Sequence, residues 1–545
     1  MKLALLCIIC ILASCSDSSQ EVELAPQMSA KPWFEDVAKE WGVDFTYRNG
    51  AEGNFHIAEV TGGALALFDY DNDDDLDLYI IQGKDDIGNS LFENIGGTFV
   101  NRTVGSGADD KGYGIGVTAG DYDGDGDVDL YVTNIGVNAL LRNDGNGRFT
   151  DVALEAGVED DGFSACAAFG DLDGDGDLDL IVTKYLDVEL ITDRECLDAR
   201  SQRTYCNPTI YDAPMHDSLF INNGDGTFTD ATESSGFSNL KGTGLGVFIS
   251  DLTSDNLPDI FIANDAMPDR LWVNQGNGTF VDEAMNRNIA MDDSGVAKAG
   301  MGATPVDIDQ DGDFDVFVAN IYGETDSFYR NEGDYFIDIT RRSGLSAETR
   351  TYTRWGIAFV DFNNDGLLDL YETTGGVMSG PNSYSSEDPL AEPNLLFEQN
   401  ENGRFLLVIP QGGTTELLIA SSHGVAAGDI DGDGGVDLVV VNSNKPVNIL
   451  RNVVPNRGNW IAFRLRGKNG SDAIGAEVKV VLEDGTVLFS QVQTAKGYAS
   501  AHDPRVYFGL ANLMPKRVRI VWPDGRKTTV ESPQIGMVHT VRYAE

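Results

Sequence analysis

The chain has 545 residues, 41% of them hydrophobic, with 88 Asp and Glu against 38 Lys and Arg and a formal net charge of -50. That length exceeds one ordinary core and calls for a repeat array or several domains. The charge disfavours nucleic acid as a partner, because phosphates would be repelled, and the hydrophobic fraction disfavours a disordered acidic chain.

In chain order, Lys2 and the apolar stretch up to Leu12 come first. The stretch is too short to span a membrane and reads as a targeting segment. Its ending, Leu12-Ala13-Ser14-Cys15, resembles a bacterial lipoprotein signal with Cys15 as the lipidated residue; the alternative is a plain cleaved signal peptide. The expectation is a signal at 1–15, a polar tether at 16–31, and an exported protein anchored through lipid alone, at the cell surface or in the periplasm. Cys7 and Cys10 would leave with the signal. Cys196 and Cys206 share an irregular stretch and are expected to form a disulfide in an export compartment. Cys166, in an apolar strand, reads as a buried thiol.

Seven runs of the form Asp-x-[Asp/Asn]-x-Asp-[Gly]-x-x-Asp then punctuate the chain, each followed by apolar residues; they hold 31 of the 88 acidic residues. Side chains at positions 1, 3, 5 and 9, with the backbone carbonyl at 7, can converge on a hard cation that takes six to eight oxygens, which points to calcium. The expected ligand sets are Asp69, Asp71, Asp73, Asp75 and Asp77; Asp121, Asp123, Asp125, Asp127 and Asp129; Asp171, Asp173, Asp175, Asp177 and Asp179; Asp251, Thr253, Asp255, Leu257 and Asp259; Asp307, Asp309, Asp311, Asp313 and Asp315; Asp361, Asn363, Asp365, Leu367 and Asp369; and Asp429, Asp431, Asp433, Gly435 and Asp437. Thr253 and Asn363 lack the third-position carboxylate and should weaken their sites. Position 6, usually Gly as in Gly126, needs a positive φ, which Asp74 and Asn256 tolerate. Two carboxylates about 5 Å apart repel by roughly 3 kcal/mol at an effective dielectric near 20, so empty loops would be held open. EF-hands and dockerins share the opening pattern but need helices after it. Here the followers, such as Leu178-Asp179-Leu180-Ile181-Val182, are strand-like.

Each loop sits between a small-residue strand, such as Gly114-Ile115-Gly116-Val117, and an apolar one, such as Leu130-Tyr131-Val132. An Asn-x-Gly-x-Gly-x-Phe turn follows (Asn143, Gly145, Gly147, Phe149), so the unit reads as four short antiparallel strands. Loop starts lie 52, 50, 80, 56, 54 and 68 residues apart. Such periods predict an all-β, seven-bladed propeller over 32–452, with insertions near 187–217 and 373–393. The seventh repeat lacks its final strand. Phe34-Glu35-Asp36-Val37 matches Phe149-Thr150-Asp151-Val152, so the two ends of the propeller should share the last blade and leave no long open edge. From 451 to 545 there are 14 Lys and Arg against 8 Asp and Glu. This tail, read as a small β-sandwich domain at 453–545, is expected to lean on the acidic body.

The repeats resemble the FG-GAP/VCBS repeats of integrin α-subunit propellers and their bacterial relatives, in which calcium sits in a hairpin loop of each blade. The tail resembles the ASPIC/UnbV domain through Asn459-Trp460, Leu465-Arg466-Gly467, Ala473-Ile474-Gly475-Ala476, Gly497-Tyr498, Phe508-Gly509-Leu510 and Val521-Trp522-Pro523-Asp524-Gly525, although Ser471-Asp472 replaces the usual Asn-Arg. The combination is similar to the cartilage acidic protein family. The resemblance implies calcium binding and an extracellular site, not an activity. His56, His216, His423, His502 and His539 are scattered and read as structural, with His423 packed between blades; no catalytic motif appears. Trp272, Trp355 and Tyr352 read as blade packing, the alternative being the lining of a central ligand pocket. The expected function is a calcium-stabilised binding or adhesion module for an unknown protein or glycan ligand. The alternative is a propeller-scaffold enzyme of a biosynthetic or extracellular degradation pathway, with its site near the propeller axis.

Overall fold

The small-residue runs before each aspartate loop form the first strands of seven four-stranded antiparallel sheets: Leu65–Phe68, Tyr113–Gly120, Ser164–Gly170, Gly244–Ser250, Gly300–Val306, Arg354–Val360 and Ser422–Gly428. These first strands lie against one another around the axis of a seven-bladed propeller. Glycine recurs there because the next backbone comes close. A Cβ on Gly116 would meet Ala165 O at 2.5 Å, and those on Gly246, Gly356 and Gly424 would meet Met301 O, His423 O and Gly63 O at the same distance. The strands bulge at these points, as between Gly114 and Gly116 or Gly244 and Gly246. In each blade the aspartate loop joins strands one and two at one face of the ring. The computed structural model describes residues 31–544 except 85, 192–193, 198–200 and 379–383. Cys15 and the expected signal and tether to residue 30 lie outside the described residues.

The seventh blade combines both ends of the propeller. Phe34–Asp36 pairs with Asn448–Asn452, Phe34 opposite Asn452 and Asp36 opposite Leu450. Phe34 is buried edge-to-face against Phe362 of the sixth blade, with ring centroids 5.1 Å apart. The strand from one end of the propeller thus completes the four-stranded blade formed by the other.

The tail makes two sheets around a core of Ile461, Phe463, Val478, Val480, Val518 and Trp522. One orders Val506–Ala511, Asn459–Arg466 and Val538–Arg542, the last pair parallel. The other orders Val487–Gln491, Glu477–Leu482, Pro515–Val521 and Lys527–Glu531. Between Val487–Gln491 and Val506–Ala511 the chain leaves the tail and enters the propeller axis. Along 493–503 it bonds to first strands of six blades. Ala501 N–H donates to Leu65 O (2.9 Å) and Leu67 N–H to Ala501 O (3.0 Å); Val117 N–H donates to Ala499 O (2.9 Å) and Ala499 N–H to Cys166 Sγ (3.1 Å). Gln493 Nε2 donates to Ile249 O (2.9 Å), Ala303 and Gly497 exchange backbone bonds, and Asp503 N–H donates to Ala427 O. Tyr498 is fully buried: its hydroxyl donates to Thr61 O (2.6 Å), and its ring lies 4.9 Å from that of Trp355 in the remaining blade. The axis is filled.

Trp272 is buried, stacked on Phe237, and Tyr352 stacks on Tyr384. His423 is buried between blades, its Nδ1–H donating to Gly62 O (2.6 Å), and burial pushes its imidazole down to about 4. Cys166 is a buried thiol, pushed up to about 12 by burial. Cys196 and Cys206 are joined as a disulfide in the insertion of the third blade.

Candidate metal centre

All seven aspartate loops share one hydrogen-bonded frame. The carboxylate at position 1 accepts the N–H of position 6, from Asp74 on Asp69 (3.2 Å) to Gly434 on Asp429 (3.0 Å). The carboxylate at position 5 accepts the N–H of position 7, as Asp125 does from Asp127 (2.9 Å). The turn demands positive φ at position 6, met by Gly126 at 98° and by Asp74 and Asn256 at 71° and 67°. Only glycine enters that region without steric cost, and Asp and Asn are the next best tolerated.

Position 9 has a second task that its spacing does not reveal. Asp129 takes the N–H of Tyr122 on Oδ2 (3.1 Å) and of Asn143, at the end of the third strand, on Oδ1 (2.7 Å). Asp77, Asp179, Asp259, Asp315, Asp369 and Asp437 repeat this arrangement. The third-strand Asn then reaches the preceding blade. Asn143 Nδ2 donates to Tyr70 O (2.8 Å), and Asn94, Asn222, Asn274, Asn331 and Asn452 do likewise around the ring. Gln399 holds this place in the sixth blade.

Within this frame, three carboxylates bring ligand oxygens within 4.8 Å of one another in five loops: Asp69, Asp71 and Asp77; Asp121, Asp123 and Asp129; Asp171, Asp173 and Asp179; Asp307, Asp309 and Asp311; Asp429, Asp431 and Asp437. These clusters suit a metal ion. Among the described residues the loops beginning at Asp251 and Asp361 form no such triad. Thr253 carries no charge there, and Asn363 turns its amide onto Asp365 Oδ2 (3.1 Å), donating where a cation would otherwise sit. The position 5 carboxylates Asp73, Asp125, Asp175 and Asp433 fall outside their triads, whereas Asp311, which accepts the same turn N–H, belongs to its triad in place of Asp315. Burial, reinforced by neighbouring carboxylates, pushes Asp77, Asp179 and Asp315 up to about 8, Asp307 to about 7, and Asp121 and Asp171 to about 6. Without a cation Asp77, Asp179 and Asp315 hold protons near neutrality, whereas Asp121 and Asp171 are largely ionised there.

The basic tail covers this loop face. Arg464, itself buried, places Nη2 2.7 Å from Asp69 Oδ2 and Nη1 2.5 Å from Asp74 Oδ1. Gly458 N–H and Ala511 N–H donate to Asn363 O (3.0 Å) and Asn364 O (2.9 Å) of the sixth loop. Arg457 bonds Asp433 (2.7 Å) in the seventh, and Lys479 reaches Gly312 O (3.3 Å) in the fifth. Because successive strands are antiparallel, the links from second to third strands lie at the opposite face. Both insertions are there, between Asp179–Lys184 and Ser218–Asn222 and between Asp369–Thr374 and Leu395–Gln399. In the first insertion Leu190, Leu197 and Ile210 are exposed.

Residues 69–132, 121–182, 251–318 and 307–372 match the FG-GAP-like repeat, and 466–545 match the family described as ASPIC and UnbV. This chain is an FG-GAP-repeat protein with an ASPIC and UnbV tail. The FG-GAP-repeat chain is similar to cartilage acidic protein 1 of Mus musculus, 26% identical over 310 residues that cover 55% of this chain and 45% of that protein. To the Homo sapiens protein it is 26% identical over 326 residues, 58% and 46% of the two chains. The match thus spans less than half the length of these relatives. Solved structures that align with it include an Agrocybe aegerita lectin that recognises terminal N-acetylglucosamine, with TM-score 0.38 and 16% identity over 71% of this chain and 86% of that one. YCF48 from Cyanidioschyzon merolae aligns with TM-score 0.38 and 11% identity over 72% and 96%. Likeness at this level says nothing of what the FG-GAP-repeat chain binds.

Proposed function

We propose that the protein is a calcium-stapled binding module, exported and lipid-anchored through Cys15, whose protein or glycan partner docks on the face opposite the aspartate loops. One observation carries this reading: the tail occupies the loop face and the axis, while both insertions project from the other face. Rigid rings that display variable loops suit partner binding. Calcium is favoured over other ions because the triads offer only hard oxygen ligands in open, multi-carboxylate loops. The filled axis weighs against a scaffold enzyme whose site lies there. The test compares the purified protein with a Leu190→Ser, Leu197→Ser, Ile210→Ser variant on immobilised glycans and surface proteins. The variant should lose binding while its calcium-dependent melting is unchanged. A partner whose footprint maps to the aspartate-loop edges instead would refute the assignment of the face. Labelling with palmitate should vanish in Cys15→Ser; persistent labelling removes the anchor.

A further inference from the structure

Of the five carboxylate triads, the first has a position 1 aspartate that serves two partners. Asp69 accepts amides of its own loop as its counterparts do, from Asp73 on Oδ1 (3.1 Å) and from Asp74 on Oδ2 (3.2 Å). Its Oδ2 also lies 2.7 Å from Nη2 of Arg464, a residue of the tail. Among the described residues Asp121, Asp171, Asp307 and Asp429 form no such ion pair, and their carboxylates accept only amides of their own loops.

Two departures from the repeat build this contact. Position 6 is Gly in five loops and Asn in the fourth, but in the first it is Asp74, whose carboxylate takes Nη1 of Arg464 (2.5 Å). In the tail, Asp472 stands 3.4 Å from Arg464 Nε and 3.4 Å from Arg466 Nη1, and Arg466 Nη2 lies 3.7 Å from Asp69 Oδ2. The first loop therefore faces two guanidinium groups held in place from both sides.

Burial makes the contact a fixed one. The Arg464 side chain is 5% exposed, so withdrawing it would leave a buried charge without its partners. Arginines that meet other triads are freer. Arg451 lies 2.7 Å from Asp431, but 41% of its side chain is exposed, and Arg330 lies 3.9 Å from Asp309 with a third of its side chain in water. Both can turn outward when a cation arrives, since exposed pairs are weak. Arg464 has no such exit. A divalent ion held by Asp69, Asp71 and Asp77 must share Asp69 with a positive charge that stays, and solvent screens buried charges poorly.

We propose that Arg464 is a built-in antagonist of calcium in the first loop, making that loop the weakest of the five triad sites and the last to fill as calcium rises. The inference rests on the calcium reading of the loops and deepens it by ranking them.

The experiment titrates calcium calorimetrically into the chelated full chain. The parent should show one site weaker than the rest. Arg464→Gln removes the charge and keeps an amide donor for Asp69; it should tighten that one site by about fivefold or more, the low end of couplings between sites, and leave the others unchanged. Arg464→Lys keeps the charge and should hold the affinity at the parent's level, whereas a purely structural role would be disturbed in both variants. Asp71→Asn removes a carboxylate from the first triad, and in that background Arg464→Gln should tighten nothing. Should Arg464→Gln fail to fold, Arg464→Met carries the same expectation. No tightening in the neutral variants, equal tightening in Arg464→Lys, or tightening that persists in Asp71→Asn overturns the inference and leaves the calcium reading intact; a parent that takes up no calcium overturns both.

Discussion

Removing calcium at pH 7.5 should lower the melting temperature by about 12 °C. The figure rests on the five loops whose carboxylates converge. Extracellular calcium modules bind at about 10⁻⁴ M, so 10 mM calcium is about a hundredfold excess and stabilises each occupied loop by about 2.7 kcal/mol. Five loops contribute about 13 kcal/mol, against an unfolding entropy near 1.1 kcal/mol/K for a folded unit of this length. The pH dependence gives a second handle. Folded carboxyls such as Asp121, Asp307 and Asp77 are raised to about 6, 7 and 8, above the ordinary range near 4. A group raised on folding contributes its stability below its unfolded pKa and loses it as pH climbs through the folded value. The metal-free protein therefore loses this contribution progressively from about pH 4 to about pH 8, and little of it is left at pH 7.5. Differential scanning calorimetry with calcium and with excess chelator, at pH 7.5 and pH 5.5, measures both effects. The calcium increment should shrink at pH 5.5. An increment under 3 °C at pH 7.5, or one that grows as pH falls, would refute the reasoning.

Three further outcomes follow from particular contacts. Asp129→Asn replaces one of two acceptor oxygens with an amide facing a backbone N–H, and should cost about 3 kcal/mol in urea unfolding and remove one calcium from the calorimetric count. Tyr498→Ala should cost about 4 kcal/mol through the lost axial packing, whereas Tyr498→Phe, which loses only the bond to Thr61 O, should cost about 1 kcal/mol; equal costs would mean the ring contributes nothing. Phe34→Ala should cost about 4 kcal/mol and speed protease cleavage near 448–452, because the closing strand loses its anchor; unchanged cleavage would argue that the seam is held elsewhere.

Much of the ring was legible because its signals are local and repeated. Aspartate spacing, Asn-Gly turns and strand periods recur within some fifty residues, and the half-motif at Phe34 named its own missing partner. The same spacing led to an expected convergence of positions 1, 3, 5 and 9; the triads join positions 1, 3 and 9 in four loops and 1, 3 and 5 in the fifth. The dual role of position 9 was not legible, because its amide donors lie 14 to 43 residues further on in blades of different length, from Asn143 to Asn222. The axial segment was hidden more deeply. Ala499 meets Cys166 and Val117 across more than 300 positions, and nothing in Thr494-Ala495-Lys496-Gly497-Tyr498 has a period to read. The glycines of the first strands gave the trace that was available: they signalled a close approach without naming what approached. Likewise the basic balance of the tail foretold a lean on the acidic body, but not that Arg464 would reach into the first loop.

The seam also orders the birth of the protein. Asn448 Nδ2 donates to Asp36 Oδ2 across 412 positions, and Tyr498 to Thr61 across 437. A chain emerging from its N-terminus shows the closing strand first and must leave it without a mate until the seventh repeat appears. The axis stays hollow longer still, until residues 493–503 arrive. A product cut short anywhere before them keeps an unfilled centre and, before 448–452, an open sheet edge, which invites proteolysis or aggregation. The architecture therefore postpones its own locking: the ring closes at 448–452 and its centre fills only when 493–503 arrive.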